Sequence, residues 1–274
     1  MQCPVCSASD YRTRYVFGWG EILQCSRCGC AYTEGCNPEE MNRRAFSRHE
    51  ANDAVDLYRL WARERLSTLM RFTTSGSLLE FGPGTGEFLY TAAQAGFHPV
   101  GIDRFPQLNP ENRHPEVAFI QADARNFRST RRFDAIAALH VLEHFRAPYE
   151  FLSAVRENLA DSGYFLLEVP NYASPSRVIA GRRWRCFVSY HALHLTPRSL
   201  TILLNRAGFK VAYIETVGCS TTQLVGLGVP FVLRRLRLPS PLGWEPAGVL
   251  RKVASGIERP LRWGYNIRVV ACKI

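Results

Sequence analysis

From Ser77 onward the chain alternates short apolar runs with helical stretches, and this alternation limits its fold more than any other feature. Runs at 77–81, 98–102, 117–120, 133–139, 163–169, 209–216 and 267–272 read as strands, and 86–95, 149–160 and 197–207 as helices. Such an order predicts an α/β fold with a doubly wound, seven-stranded sheet, whose ligands bind beyond the carboxyl ends of the strands. "TPRSLTILLNRAGF" marks one helix at both ends: Thr196 can cap it, Pro197 suits its first turn and Gly208 stops it. Upstream, 38–74 reads as a helical linker, with Val55, Leu57, Leu60, Trp61, Leu66, Leu69 and Met70 at roughly helical spacing.

The first 37 residues follow a different logic. Cys3, Cys6, Cys25 and Cys28 form C-x2-C-x18-C-x2-C. Two thiolates two residues apart converge on one side of a tight turn, and two such turns offer four soft ligands to a tetrahedral Zn²⁺. The intervening 18 residues are long enough for a hairpin that brings the pairs together. Four thiolates leave no position open for water, so the expected zinc ribbon is structural. Cys30 and Cys36 are surplus and read as packing residues.

"SLLEFGPGTGEF" is a strand ending near Glu80, then Gly82, Gly84 and Gly86, then a helix. A dinucleotide fingerprint would need glycine at 87, where Glu87 stands, and a P-loop would need Lys-Ser/Thr after the last glycine. The E-x-G-x-G-x-G pattern resembles motif I of the class I S-adenosylmethionine (SAM) dependent methyltransferases. The resemblance continues in order through "VGID", "QADARNF", "FDAIAALHVLEHF" and "VRENLADSGYFLLEVPN", and covers about 75–216. It implies a Rossmann-like methyltransferase domain over 75–274. It also implies a SAM site at Glu80, Gly82, Gly84 and Gly86. Asp103 would meet the ribose hydroxyls and Asp123 the adenine amino group, with Arg104, Ala124 and Leu139 beside them. The chemistry suits those residue types, because SAM carries an amino-acid head, a sulfonium and an adenosine but no phosphate.

Methyl transfer requires alignment of donor and acceptor and, for a hydroxyl or carbon acid, removal of a proton. Histidine suits the second task. His140 follows the strand that faces the transferred methyl in the family. "HALHLTPRSL" resembles members in which a histidine before this helix lines the acceptor pocket, which makes His194 the leading base candidate, with His191 and Tyr190 next. Packing against a lid is the plain alternative. His144 and Glu143 form an "LEH" common in small-molecule methyltransferases. Some quinone-biosynthesis relatives bind a divalent metal through Glu-x-x-Glu-His, but here His140 holds the first position, a departure from that pattern.

The chain carries 34 basic and 24 acidic residues, a net charge of +10, and 31 of the basic residues are arginine. The excess does not sit on the ribbon. Residues 1–40 hold three arginines against five acids, whereas 218–263 hold seven basic residues against two acids. An acidic ribbon argues against nucleic acid as its partner. The basic, apolar 218–263 segment reads as a lid, as a peripheral contact with an anionic membrane surface, or as an amphipathic pair packed on the core. No apolar run approaches the roughly 18 residues of a membrane span. With no apolar signal region at "MQCPVC", a cytoplasmic setting is expected. The favoured reading is methylation of oxygen or carbon on a small or carrier-linked acceptor, such as a sugar, polysaccharide precursor or natural product. An RNA methyltransferase and a non-catalytic SAM-binding scaffold are the alternatives.

Overall fold

The computed structural model describes residues 1–35, 55–105, 108, 110–218 and 264–274. Cys36, the start of the helical linker and nearly all of the 218–263 segment lie outside the described residues. Three strands open the chain: β1 (Tyr11–Phe17), β2 (Gly20–Cys25) and β3 (Ala31–Glu34). Helix α1 (Val55–Leu69) then leads into the main sheet of β4 (Gly76–Phe81), β5 (Phe97–Asp103), β6 (Ala118–Gln121), β7 (Phe133–Leu139), β8 (Leu159–Pro170), β10 (Phe209–Val217) and β11 (Asn266–Lys273). Between these lie α2 (Glu87–Gln94), α3 (Pro148–Asn158), α4 (Pro175–Ala180), the short β9 (Leu193–His194) and α5 (Pro197–Arg206).

The main sheet has seven strands in the order β10-β11-β8-β7-β4-β5-β6. Its parallel pairs are β4 with β5 and β7, β5 with β6, and β7 with β8, while β11 runs antiparallel to β8 and β10. From β4 the chain winds outward through β5 and β6, then returns to the other side of β4 as β7. That reversal opens a crevice beyond the carboxyl ends of β4 and β7, where the strand order switches. The sheet buries both faces, and its side chains alternate between two cores. Leu79, Ile136 and Ala138 join Phe151, Leu152, Leu200 and Leu203 from α3 and α5. Leu78, Ala135 and Ala137 join Leu66, Leu69, Phe88 and Leu89 from α1 and α2.

Helix α1 buries only part of the stripe its sequence suggested. Ala62, Leu66 and Leu69 are buried, whereas Leu57, Leu60 and Met70 are exposed. The inward face is the one that also carries Arg65, at helical spacing from 62 and 69, and Arg65 reaches a carboxylate inside the sheet. Helix α5 begins as its sequence indicated. Thr196 and Ser199 close a reciprocal capping box behind Pro197. Strand β8 begins at Leu159, four residues ahead of the expected 163.

The N-terminal strands form a second, four-stranded sheet in the order β1-β2-β3-β9. Strand β9 comes from between β8 and α5, and pairs Ala31 with His194 and Tyr32 with Leu193. A strand of two residues carries no periodicity, so it was not expected. Tyr149 Oη donates 2.6 Å to the Val5 carbonyl, and Arg146 pairs with Glu34 at 3.0 Å. Cys3, Val5, Leu23 and Tyr32 share one apolar cluster with Phe151, Leu193 and Leu200. The ribbon is therefore built into the wall of the larger domain.

Candidate active site

The loop between β4 and α2 turns on three glycines, with φ of 67° at Gly82, 54° at Gly84 and 89° at Gly86. This left-handed region costs other L-residues about 1–2 kcal/mol. A Cβ on Gly82 would lie 2.6 Å from Val141 Cγ2, and one on Gly86 2.7 Å from Leu108 Cδ2. At Gly84 a Cβ would meet nothing within 4 Å, so backbone faces open space there. Gly82 is tied to the neighbouring strand end by a 2.8 Å bond from its N–H to the Ile102 carbonyl.

Glu80, two residues before this loop, is 2% exposed, and among the described residues its Oε2 has no hydrogen-bond partner. Burial pushes its carboxyl up to about 8, helped by Glu87 and Asp103 and opposed by Arg65. Between 4.5 and about 8 the folded chain holds a proton here that the unfolded chain has lost, so this group lowers stability as pH rises through that window. Glu80→Gln is expected to remove that slope. In thermal melts without ligand, the variant should gain on the wild type between pH 5 and pH 8. A constant difference across that range would refute the assignment.

Asp103 ends β5 and accepts 2.8 Å from the Phe105 N–H; burial raises its pKa despite that bond and one from Arg104. Asp123 follows β6. Burial raises its pKa too, but bonds from Arg125, one of them 2.8 Å long, with Arg104 nearby, outweigh that and hold the carboxyl below its usual range. Its carboxylate is thus already shared with arginine. Ala124 is half-buried beside it, and Leu139 ends β7, also half-buried. An orphaned buried carboxyl that a nearby cation would ionise, an open glycine turn and Asp103 at the next strand end fit a ligand with a cationic head and sugar hydroxyls.

Beyond β7 lies a buried ionic knot. Glu168 of β8 receives Arg65 at 2.7 Å on Oε1 and Arg268 of β11 at 2.7 Å on Oε2. Burial alone would raise its pKa, but Arg65, His140 and Arg268 keep it well below the carboxylate range. His140 is one of two non-glycine residues with positive φ among the described residues, at 59°, and its N–H bonds the Glu168 carbonyl at 2.8 Å. Its Nδ1 lies 3.3 Å from Glu143 Oε1 and its Nε2 3.3 Å from Glu168 Oε1. Burial lowers its pKa, but the two carboxylates outweigh this and carry it to about 9. His140 is therefore an imidazolium at neutral pH, not a free base. The stability it lends is full below 6.5 and is lost as pH rises through about 9.

The other two base candidates sit at the ribbon seam. His194 is 2% exposed, its Nε2 is 3.1 Å from Thr33 Oγ1, and Tyr172, Trp184 and Phe187 surround its ring. Burial keeps it neutral. Its ring is enclosed where the ribbon meets the domain, rather than open to the crevice. His191 is held by a 3.0 Å bond from Nδ1 to the Cys186 carbonyl, and burial pushes its pKa down to about 4. Its ring lies 4.9 Å from that of His144, in the 3-10 turn Leu142–His144 after β7. Sequence reasoning missed Glu168, Arg65 and Arg268. Their signal was a charge inside an apolar strand, in "FLLEVP" and "NIRVVAC".

In the ribbon, the Sγ atoms of Cys3, Cys6, Cys25 and Cys28 all lie within 4.8 Å of one another. Cys3–Cys28 and Cys6–Cys25 are each 3.6 Å apart. Tetrahedral Zn–S bonds of about 2.3 Å set sulfurs about 3.8 Å apart, so the four thiols fit that ion.

Residues 52–214 match the methyltransferase domain family, and the chain belongs to it. With this sheet, its class is that of the class I SAM-dependent methyltransferases. A ubiquinone biosynthesis O-methyltransferase of Cereibacter sphaeroides is 30% identical over 145 residues, 48% of this chain and 59% of that protein. A tRNA U34 carboxymethyltransferase of Idiomarina loihiensis is 25% identical over 177 residues, 60% of this chain and 54% of that protein. The chain thus spans little more than half the length of these curated relatives. Among solved structures, a SAM-dependent methyltransferase from Archaeoglobus fulgidus superposes with a TM-score of 0.55 at 19% identity, covering 86% of this chain and all of that one. The Burkholderia thailandensis 1,6-didemethyltoxoflavin-N1-methyltransferase, with bound 1,6-didemethyltoxoflavin and S-adenosylhomocysteine, gives 0.54 at 14% identity, covering 97% and 99%. At these identities the two structures speak for the fold.

Proposed function

We propose that this chain transfers a methyl group from SAM to oxygen or carbon of a small or carrier-linked acceptor. The observation that carries this reading is the left-handed glycine turn at the strand-order switch, open at Gly84, with Asp103 ending the adjacent strand. Glu80 and the Gly82–Gly86 backbone would hold the amino-acid head, Asp103 the ribose, and Asp123 the adenine amino group with Arg104 and Ala124 beside it. Leu139 would lie under the donor. SAM supplies a methyl carbon already activated by the sulfonium for in-line displacement. The chain's own task is to align the acceptor over the end of β7 and to take its proton. His191 is the neutral candidate for that proton. His140, cationic between two carboxylates, would orient an acceptor with developing negative charge, and His194 would brace the seam.

Four thiolates would hold a structural zinc that keeps the ribbon folded against this wall. The ubiquinone-pathway relative supports a small oxygen acceptor, and the tRNA relative supports nucleic acid as the second reading. The acidic composition of 1–40 favours the first. Membrane contact through 218–263 falls almost entirely outside the described residues; among those described, no helix is long and apolar enough to cross a membrane.

Methyl-labelled SAM incubated with sugar nucleotides, lipid-linked sugars, phenolic acceptors and RNA tests this directly. Label is expected in a small or carrier-linked acceptor. Label in RNA alone would overturn the acceptor class, and label in none would favour the scaffold. Gly84→Ala tests the donor site. Its Cβ enters open space, so the protein should fold with about 1–2 kcal/mol lost while SAM affinity falls at least about tenfold. Unchanged affinity would place the donor elsewhere.

A further inference from the structure

We infer that the ribbon completes an anion subsite beside the acceptor histidines, in which Arg14 of β1 joins Tyr172, Arg177 and Trp184 to take the diphosphate of a phosphorylated acceptor. Tyr172 and Trp184 are 1% and 2% exposed, and among the described residues neither the Tyr172 hydroxyl nor Trp184 Nε1 has a hydrogen-bond partner. An indole N–H only donates, and a buried donor left unpaired costs free energy. Burial raises the pKa of the Tyr172 hydroxyl, opposed by Arg177 and Arg14, so this group also keeps a proton to donate. Arg177 Nε donates 2.6 Å to the Tyr172 carbonyl, and its guanidinium lies 4.2 Å from the centre of the Tyr172 ring. The phenol and indole rings are 6.1 Å apart. Two cations and two neutral donors therefore gather here.

A bulge in the ribbon supplies the first of them. Thr13 pairs with Leu23 and Tyr15 with Ile22, so Arg14 is the residue that β1 skips in its pairing with β2. Such a bulge re-aims side chains. The Arg14 guanidinium comes near enough to the Tyr172 hydroxyl to act on it without bonding it, while the Tyr15 ring packs 5.3 Å from Phe187. The loop after α4 keeps β1 in this place, because Arg182 Nη2 donates 3.0 Å to the Val16 carbonyl. Tyr172 stands two residues beyond β8, whose partner β7 leads to the acceptor side. The Tyr172 and Trp184 rings lie 6.1 and 6.0 Å from His194, and His194 lies 6.4 Å from His191. Between Glu168 and Glu215 the sequence holds seven basic residues and no acid. Two guanidiniums match the multiple charge of a diphosphate better than the single charge of a carboxylate. The ribbon as a whole is acidic, which repels a long polyanion more than one small diphosphate. The inference rests on the methyltransferase reading for its use, since the subsite would anchor an acceptor whose reacting atom lies toward His191.

Binding measured without turnover tests it. Zinc-loaded, full-length protein is titrated in a calorimeter with inorganic pyrophosphate, uridine diphosphate, geranyl diphosphate and an RNA oligonucleotide, and SAM affinity is measured on the same samples. One equivalent of pyrophosphate is expected to bind. Both Arg14→Gln and Tyr172→Phe should weaken it at least about tenfold, with SAM affinity retained. Tyr172→Phe keeps the ring and loses only an unpartnered hydroxyl, so its melting temperature should not fall. Arg183→Gln removes an exposed arginine of the same loop and should leave binding unchanged. Tighter binding of uridine diphosphate than of pyrophosphate would support a nucleotide-linked acceptor, and tighter binding of geranyl diphosphate a lipid-linked one. No pyrophosphate binding by folded wild type, unchanged binding in Arg14→Gln and Tyr172→Phe, or equal weakening in all three variants overturns the subsite. RNA as the one probe whose binding depends on Arg14 overturns it as well. Failure of the folded protein to bind SAM while the pyrophosphate result holds would instead remove the methyltransferase reading and leave the subsite standing.

Discussion

Replacing Cys25 with serine is expected to cost the chain its thiolate-bound zinc and the order of the whole ribbon. Apparent binding energies of about 10–16 kcal/mol for zinc in small zinc-finger peptides show how much of such a fold is the metal. Cys25 ends β2 and is buried, so serine in its place leaves three thiolates and a hydroxyl in an apolar setting. The damage would not stop there. β3 pairs with β9, and Thr33 holds both the His191 carbonyl and the His194 ring, so an unfolded ribbon releases two candidate site histidines. Elemental analysis after dialysis should show one fewer zinc per chain, with a lower melting temperature and loss of methyl transfer. Weakened transfer with SAM binding intact would fit best, because the glycine loop is carried by β4 and α2, and β4 pairs with none of the ribbon strands. Unchanged zinc content in Cys25→Ser would contradict the four-thiolate site.

Glu168→Ala should have the second large effect. It removes the carboxylate that holds both Arg65 and Arg268 at 2.7 Å inside the sheet, leaving Arg268 the longer 3.6 Å contact with Glu215, and it removes one of the two that hold His140. Breaking a buried pair from one side typically costs about 3–5 kcal/mol, because the remaining charge is stranded. Arg65 loses its hydrogen-bonded carboxylate and Arg268 keeps only Glu215, so urea unfolding should show a loss within that range. His140, with one carboxylate fewer, should titrate below its present value of about 9. Nuclear magnetic resonance of the ring would read that shift. A loss under about 1 kcal/mol would mean that water or other residues replace the knot.

The legible and illegible parts of this chain divide along physical lines. Strands β4, β5, β7 and β11 were visible because most of their residues are buried on the two sides of the sheet, which leaves largely apolar runs. Thr196, Pro197 and Gly208 were readable because caps are local chemistry. Cys3, Cys6, Cys25 and Cys28 were readable because the spacing is itself the ligand geometry. What could not be read depends on residues distant in sequence. β9 exists only because β3 offers it an edge. Arg65 on the inward face of α1 could not be read, because its partner Glu168 lies 103 positions on. The same limit governs the histidines. Residue type marked His140, His191 and His194 alike, but only the packing separates a cation between carboxylates, a neutral ring beside Glu143 and a ring enclosed in the seam.

The central claim is that the glycine turn and Asp103 hold SAM. Calorimetric titration of nucleotide-free protein with SAM, beside an Asp103→Ala variant of equal melting temperature, tests it most directly. Hydrogen bonds to a charged group are worth about 1.5–3 kcal/mol, so micromolar binding by the wild type should weaken at least about tenfold in the variant. No binding by well-folded wild-type protein, or equal binding by both, would contradict it.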